Sequence, residues 1–262
     1  TATPDYNNPG LVSCLLKHLG LVELPGLEIK QLGCGAIYGL DLASRIIASR
    51  QATCVLVVCV DLLSRYFGDR DRIGELASPQ AHAAFQNFGD AAVACIVSGT
   101  LDPKSPSGFR LEAAQMRAVA EVESCLRCNL PSAKRFPQRI ALEDVRAERH
   151  LPELFVERAH EETGRNMGMA ISNFLSEQRL EPSDLKCILH NQLCAGLSEL
   201  WAPELGVPVY DIFPRFGYVG APGTLLSLLE VEQQGKLVRG DRVLLVGQSS
   251  GRHYAFQVLR KL

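Results

Sequence analysis

The chain has 262 residues, 47% of them hydrophobic and 21% charged, with 27 basic against 29 acidic side chains and a formal net charge of −2. This balance suits a globular chain of one or two domains and offers neither the basic stripe of a nucleic-acid binder nor a polybasic membrane anchor. Nine cysteines, an odd number scattered through apolar segments, suit reduced thiols in the cytoplasm better than a secreted disulfide framework, and no apolar run reaches the roughly 18 residues of a spanning helix.

In chain order, the patterning predicts a strand over 27–32, a helix over 35–49 and strands over 53–60 and 91–98. A helix over 152–178, a strand over 186–190, a helix over 195–204 and a strand over 207–212 follow. The last elements are a helix over 222–235 and strands over 242–248 and 253–260. Several strands are continuous Val/Leu/Ile runs, which read as an α/β protein with sheets covered on both faces. The order repeats in the two halves, so a duplicated βαβ-type core is the simplest architecture. Residues 99–145, with Pro103, Pro106, Pro131 and Pro137, break the pattern and read as a divergent connection.

Cys34 is the residue with the clearest chemical potential. It lies in Gln31-Leu32-Gly33-Cys34-Gly35-Ala36, where the first predicted strand gives way to the first helix. A helix N-terminus offers unpaired N–H groups and the positive end of the peptide dipoles, which together favour thiolate over thiol. Cys54, Cys59 and Cys95 lie inside apolar runs and read as buried structural thiols. Cys125 and Cys128 form a lone C-x-x-C, too few ligands for the four that zinc needs, so no metal or other cofactor is expected.

A thiolate nucleophile needs a proton acceptor and donors for the tetrahedral oxyanion. His190, at the end of Leu185-Lys186-Cys187-Ile188-Leu189, is a candidate for the first. The turn Gly247-Gln248-Ser249-Ser250-Gly251 after Val243 to Val246 is a candidate for the second. His253, just beyond that turn, stands near the same place without a clear role. Trp201 reads as a packing residue of the helix over 195–204, and Arg65, Asp69, Arg70, Asp71 and Arg72 as a solvated mixed-charge loop.

Taken with Thr3-Pro4-Asp5, Val55 to Val58 with Asp61, Phe88-Gly89-Asp90-Ala91-Ala92, Leu189-His190-Asn191-Gln192, Phe216-Gly217-Tyr218 and Gly235 to Asp241, these segments form an ordered set. In order and spacing it resembles the thiolase-fold condensing enzymes, and within them the ketoacyl-ACP synthase III group. The resemblance implies a five-layered αβαβα fold of two similar halves. Residues 1–130 would be the remainder of an incomplete N-terminal half and 131–262 the C-terminal half, family members carrying further residues ahead of Thr3. It also implies a homodimer or related heterodimer, and ping-pong acyl transfer from acyl-CoA or acyl carrier protein through a thioester on cysteine.

On that resemblance, Cys34 falls on the nucleophile, His190 on the catalytic histidine, and Ser250 with the Cys34 amide on the oxyanion donors. Tyr218 falls where decarboxylating members have asparagine. Histidine and asparagine together hold the enolate of a malonyl thioester there, and losing one donor costs about 10²-fold or more. Three expectations follow. The first is an acyltransferase of specialised metabolism that loads Cys34 and passes the acyl group to a second substrate. The second is a decarboxylative starter ketosynthase in which Tyr218 or Asn191 replaces the missing donor. The third is a non-catalytic partner subunit of a thiolase-fold heterodimer.

Overall fold

The computed structural model describes residues 1–3, 10–21, 23–67, 78–100, 108–118, 124–128, 143, 146, 148, 151–250 and 252–262. Pro4 and Asp5, the charged loop around Arg70 and Gly251 lie outside them. The helices are α1 (Gly10–His18), α2 (Gly35–Ala48), α3 (Pro79–Asn87), α4 (Val156–Glu177), α5 (Ala202–Leu205), α6 (Phe213–Phe216) and α7 (Gly223–Gln233). The strands are β1 (Cys54–Leu62), β2 (Asp90–Ser98), β3 (Phe109–Ala118), β4 (Leu126–Cys128), β5 (Pro152–Leu154), β6 (Cys187–His190), β7 (Val209–Asp211), β8 (Arg242–Ser249) and β9 (His253–Lys261).

The main sheet has the order β3-β9-β8-β6-β7, parallel where β8, β6 and β7 meet and antiparallel from β8 to β3. Side chains alternate across a strand, so each strand of this sheet serves two cores. Val243, Leu245, Leu189 and Leu259 face one that includes Cys34, Ile37 and Leu40 of α2 and Leu225 of α7. Leu244, Val246, Ile188 and Phe256 face the other, built on Met167, Ile171, Phe174 and Leu175 of α4 with Trp201. Those four α4 positions recur at helical spacing, which is why the helix buries that stripe. On the far side of α2 lies the two-stranded antiparallel sheet β1-β2, which contributes Val57 and Cys59 to the first core. Its outer face is open, with Leu56 47% and Ile96 72% exposed.

Three expectations need correction. Residues 27–31 form no strand, and the chain enters α2 through a short 3-10 turn, Leu32–Cys34. The 99–145 segment is not merely a connection, because β3 pairs along β9. Phe109–Ala118 thereby joins the five-stranded sheet; a long-range edge pairing of this kind leaves no mark in local periodicity. The helix over 152–178 begins only at Val156, since Pro152–Leu154 is drawn into pairing with β4. Among the described residues no helix is long and apolar enough to cross a membrane.

Candidate active site

Cys34 sits as the N-cap of α2 and is fully buried. Leu32, at φ 41, takes the left-handed conformation that costs a non-glycine residue about 1–2 kcal/mol and turns the chain into the helix. Gly33 and Gly247 make this possible by close approach. A Cβ on Gly33 would lie 2.2 Å from the Gln248 carbonyl oxygen, and one on Gly247 would lie 2.7 Å from the Gly33 carbonyl and 3.0 Å from Cys34 Cα. The glycines therefore let strand β8 run directly against the nucleophile turn.

The Cys34 amide donates to Ser249 Oγ at 3.0 Å and to the Gln31 carbonyl at 3.0 Å. Ser249 Oγ in turn donates to Gln31 O, so one hydroxyl clamps both ends of the turn. The thiol donates to the His253 carbonyl at 3.5 Å. Burial pushes the Cys34 thiol up to about 12, against a smaller downward pull from the Ser249 hydroxyl. Loss of hydration on burial thus opposes the thiolate that the helix terminus is expected to favour.

Tyr218 is brought to the nucleophile. Its hydroxyl lies 3.2 Å from where a Gly33 Cβ would stand, and it is buried, so its pKa is raised. Its backbone is fixed by Asn87 O accepting from Tyr218 N at 2.7 Å and by Gly89 N donating to Tyr218 O at 2.9 Å. The segment just beyond it is held by Asp61, whose Oδ2 accepts from the Ala221 amide at 2.8 Å. The Phe88 ring, 5.8 Å from the Tyr218 ring, is one wall of a cavity of about 170 Å³ shared with Ser64, Phe67, Phe85 and Gln86. The Ser250 hydroxyl is buried with no partner among the described residues.

His190 makes no hydrogen bond to Cys34 among the described residues. It pairs in register with Val246, which faces the α4 core, and its ring packs edge-on against Trp201 at 5.4 Å. Both ring nitrogens are buried without a partner among the described residues, and burial lowers its pKa to about 4. The next residue, Asn191, turns the other way. Its Nδ2 donates to Gly220 O at 2.6 Å, and its side chain fills the place of a Gly223 Cβ. Ser249 and Asp61 were missed as supports. Their signal, a short polar residue in a buried apolar run, says nothing about which backbone they reach.

Among the described residues, no group of three His, Cys, Asp or Glu side chains is placed to hold a metal ion. The nitrogen and sulfur chemistry of the site is that of a thiol in a dry, hydrogen-bonded turn.

Known proteins resemble this chain in sequence and in fold. The family model of 3-oxoacyl-[acyl-carrier-protein] synthase III matches residues 27–117, and the model of the C-terminal part of the same family matches residues 175–261. The chain is 23% identical over 266 residues to a beta-ketoacyl-[acyl-carrier-protein] synthase III of Chlamydia muridarum, covering 100% of this chain and 76% of that protein. It is 24% identical to the enzyme of the same name from Nitratidesulfovibrio vulgaris, covering 99% and 75%. Among solved structures, the 3-oxoacyl-[acyl-carrier-protein] synthase III of Aquifex aeolicus superposes with a TM-score of 0.76 at 22% identity, covering 99% of this chain and 74% of that one. An OleA variant of Xanthomonas campestris gives 0.80 at 17%, covering 98% and 73%. The fold is thus the thiolase-like α/β fold.

Proposed function

This chain belongs to the 3-oxoacyl-[acyl-carrier-protein] synthase III family of acyl-transferring and condensing enzymes, and we propose that it takes an acyl group from a CoA or carrier-protein thioester onto Cys34 and passes it to a second substrate. The observation that carries this reading is the clamped turn. Cys34 is held at the start of α2 by Ser249 and by the close packing of Gly33 on Gly247, an arrangement that a thiol of purely structural use does not require. The Cys34 amide is the nearest donor for a developing oxyanion once a substrate oxygen displaces the Ser249 hydroxyl, and the Ser250 amide is proposed as the second.

The acceptor step is proposed to be non-decarboxylative and to belong to specialised metabolism, in polyketide or related synthesis. The support is Tyr218, whose ring and hydroxyl occupy the space beside Gly33, together with the orientation of His190 toward Trp201. Without a paired histidine and asparagine, enolate formation from a malonyl thioester loses donors worth about 10²-fold each. The proposed state is a homodimer or a thiolase-fold heterodimer, working in the cytoplasm, where the free thiols of Cys34, Cys59 and Cys125 stay reduced.

A second reading is favoured by the raised pKa and full burial of Cys34: a non-catalytic partner of an active thiolase-fold chain. One experiment separates the two. Intact-protein mass spectrometry after incubation with a panel of acyl-CoA and malonyl-CoA thioesters is expected to give an acyl adduct that is lost in Cys34→Ala. Absence of any adduct from either thioester class on folded protein favours the partner subunit, and carbon dioxide released from malonyl-CoA sinks the non-decarboxylative reading.

A further inference from the structure

A polar side chain just past the end of β6 has no part yet in the chemistry of Cys34. Leu189 belongs to the core that holds Cys34 and Ile188 to the α4 core, so alternation returns Asn191 to the Cys34 side. Its contacts agree: Nδ2 donates to Gly220 O at 2.6 Å, and a Cβ on Gly223 would lie 2.0 Å from Asn191 Cγ. Gly220 to Gly223 is the stretch just beyond Tyr218, and within it the Ala221 Cβ lies 3.0 Å from where a Cβ on Gly35, the neighbour of Cys34, would stand. His190 pairs in parallel with Val246, so one step further Asn191 runs alongside Gly247 at the strand spacing of about 4.8 Å. Gly247 is the residue that packs on the nucleophile, a Cβ there lying 3.0 Å from Cys34 Cα. Asn191 is therefore the neighbour of the glycine whose missing side chain leaves room above Cys34.

The amide is half used. Nδ2 has its partner, whereas Oδ1 is buried with none among the described residues, on a residue only 2% exposed. A buried acceptor without a donor costs about 1–3 kcal/mol, and a substrate N–H placed against it removes that penalty. An amide oxygen accepts a hydrogen bond but does not take the proton away. A nucleophile held by it attacks best when it needs no prior deprotonation, which is true of an uncharged amine and not of an alcohol. At the other end of the step, burial holds the Cys34 thiol up at about 12, so the sulfur leaves as a ready proton acceptor.

Resting on the acyl-transfer reading of Cys34, we propose that the second substrate is a primary amine and that Asn191 Oδ1 accepts one of its N–H groups, aiming the nitrogen lone pair at the thioester carbonyl. The nitrogen forms the new C–N bond, the C–S bond to Cys34 breaks, and the other amine proton passes to the departing sulfur. The products are an amide and the free thiol, so atoms and electrons balance without a further reactant.

The test uses the full chain in two stages. Cys34 is loaded from acetyl-CoA or hexanoyl-CoA and excess thioester is removed; loss of the adduct is then followed by intact-protein mass spectrometry on adding butylamine or, in parallel, butanol. The same amine acting on the free CoA thioester gives the uncatalysed rate, which the acylated protein is expected to exceed by about 10²-fold or more. Asn191→Ala is expected to slow transfer to butylamine about tenfold more than it slows loading, a split that a general loss of structure does not produce. Asn191→Asp keeps an oxygen in place and is expected to bring transfer back to within about threefold of wild type. Gly223→Ala leaves Asn191 in the chain but puts a methyl group where its side chain lies. It is expected to repeat the loss, and it carries the test if Asn191→Ala does not fold by circular dichroism. Wild-type transfer in a folded Asn191→Ala or Gly223→Ala variant overturns the inference, as does an equal loss of loading and transfer, or transfer to butanol as fast as to butylamine. If Cys34 is loaded but gives its acyl group to butylamine no faster than the free thioester does, the acyl-transfer reading stands and the amine assignment falls. If Cys34 takes neither acyl group, both fall.

Discussion

On the α2 face of the five-stranded sheet, Gly247 and Ser249 crowd the backbone of Cys34, and His253 stands beside them in register. On the α4 face, other residues of the same two strands do something else: Gln248 exchanges hydrogen bonds with Thr163 at 2.9 and 3.1 Å, and Phe256 stacks on Phe174 at 5.2 Å. His190 lies on that second face against Trp201. Two histidines at ends of strands in one sheet thus have different surroundings, one whose backbone carbonyl meets a thiol and one whose ring lies in an apolar core. The difference is a matter of one residue of register. It teaches that a strand end is not a site by itself; the parity of the position decides which layer the side chain serves.

The comparison is broken most severely on the α4 face. Trp201 is fully buried against His190 and the α4 stripe, so Trp201→Ala is expected to cost about 3–5 kcal/mol of stability, read as a lower urea midpoint. While the protein remains folded, the rate of Cys34 modification is expected to stay near wild type, because the damage lies behind the sheet.

Acid sharpens the contrast. His190 titrates at about 4 in the fold because burial penalises its charge, whereas the unfolded chain takes up that proton near the ordinary histidine value of about 6.5. Stability from this group is therefore fully present above about 6.5 and is lost as the pH falls toward 4, by on the order of 3 kcal/mol. His190→Leu is expected to flatten that acid limb in urea titrations. At neutral pH it is expected to be neutral or stabilising, because it removes two buried ring nitrogens that have no partner among the described residues. A marked loss at neutral pH would instead assign His190 a bonded role.

The smallest expected effect is on the α2 face. Ser249→Ala removes the hydroxyl that accepts from the Cys34 amide and donates to Gln31 O, at a cost of about 1–2 kcal/mol. The Ser249 hydroxyl is the one influence pulling the Cys34 thiol down, so the variant's thiol rises further. Alkylation of Cys34 at a fixed pH is then expected to slow, and a faster reaction would sink this account of the clamp.

Much of the fold was written in the sequence. The apolar runs that became β1, β2, β6, β8 and β9 and the amphipathic pattern of α2 and α7 were legible because periodicity and burial coincide there. The close-packed turn at Cys34 was legible as well, since glycines on both sides of a cysteine at the start of a helix mark such a turn whatever surrounds it. The ordered motifs from Gln31 to Gly251 carried the family. What the sequence could not decide was anything that depends on a partner far along the chain. The extended run at 27–31 found no strand to pair with, while β3 took the edge of β9 across more than a hundred residues. The pKa of Cys34 depended on complete burial, which a local dipole argument does not contain. The surroundings of His190 depended on which core its strand face meets, because alternation fixes only that neighbours diverge, and the packing of α2 and α4 on opposite sides of one sheet decides toward what.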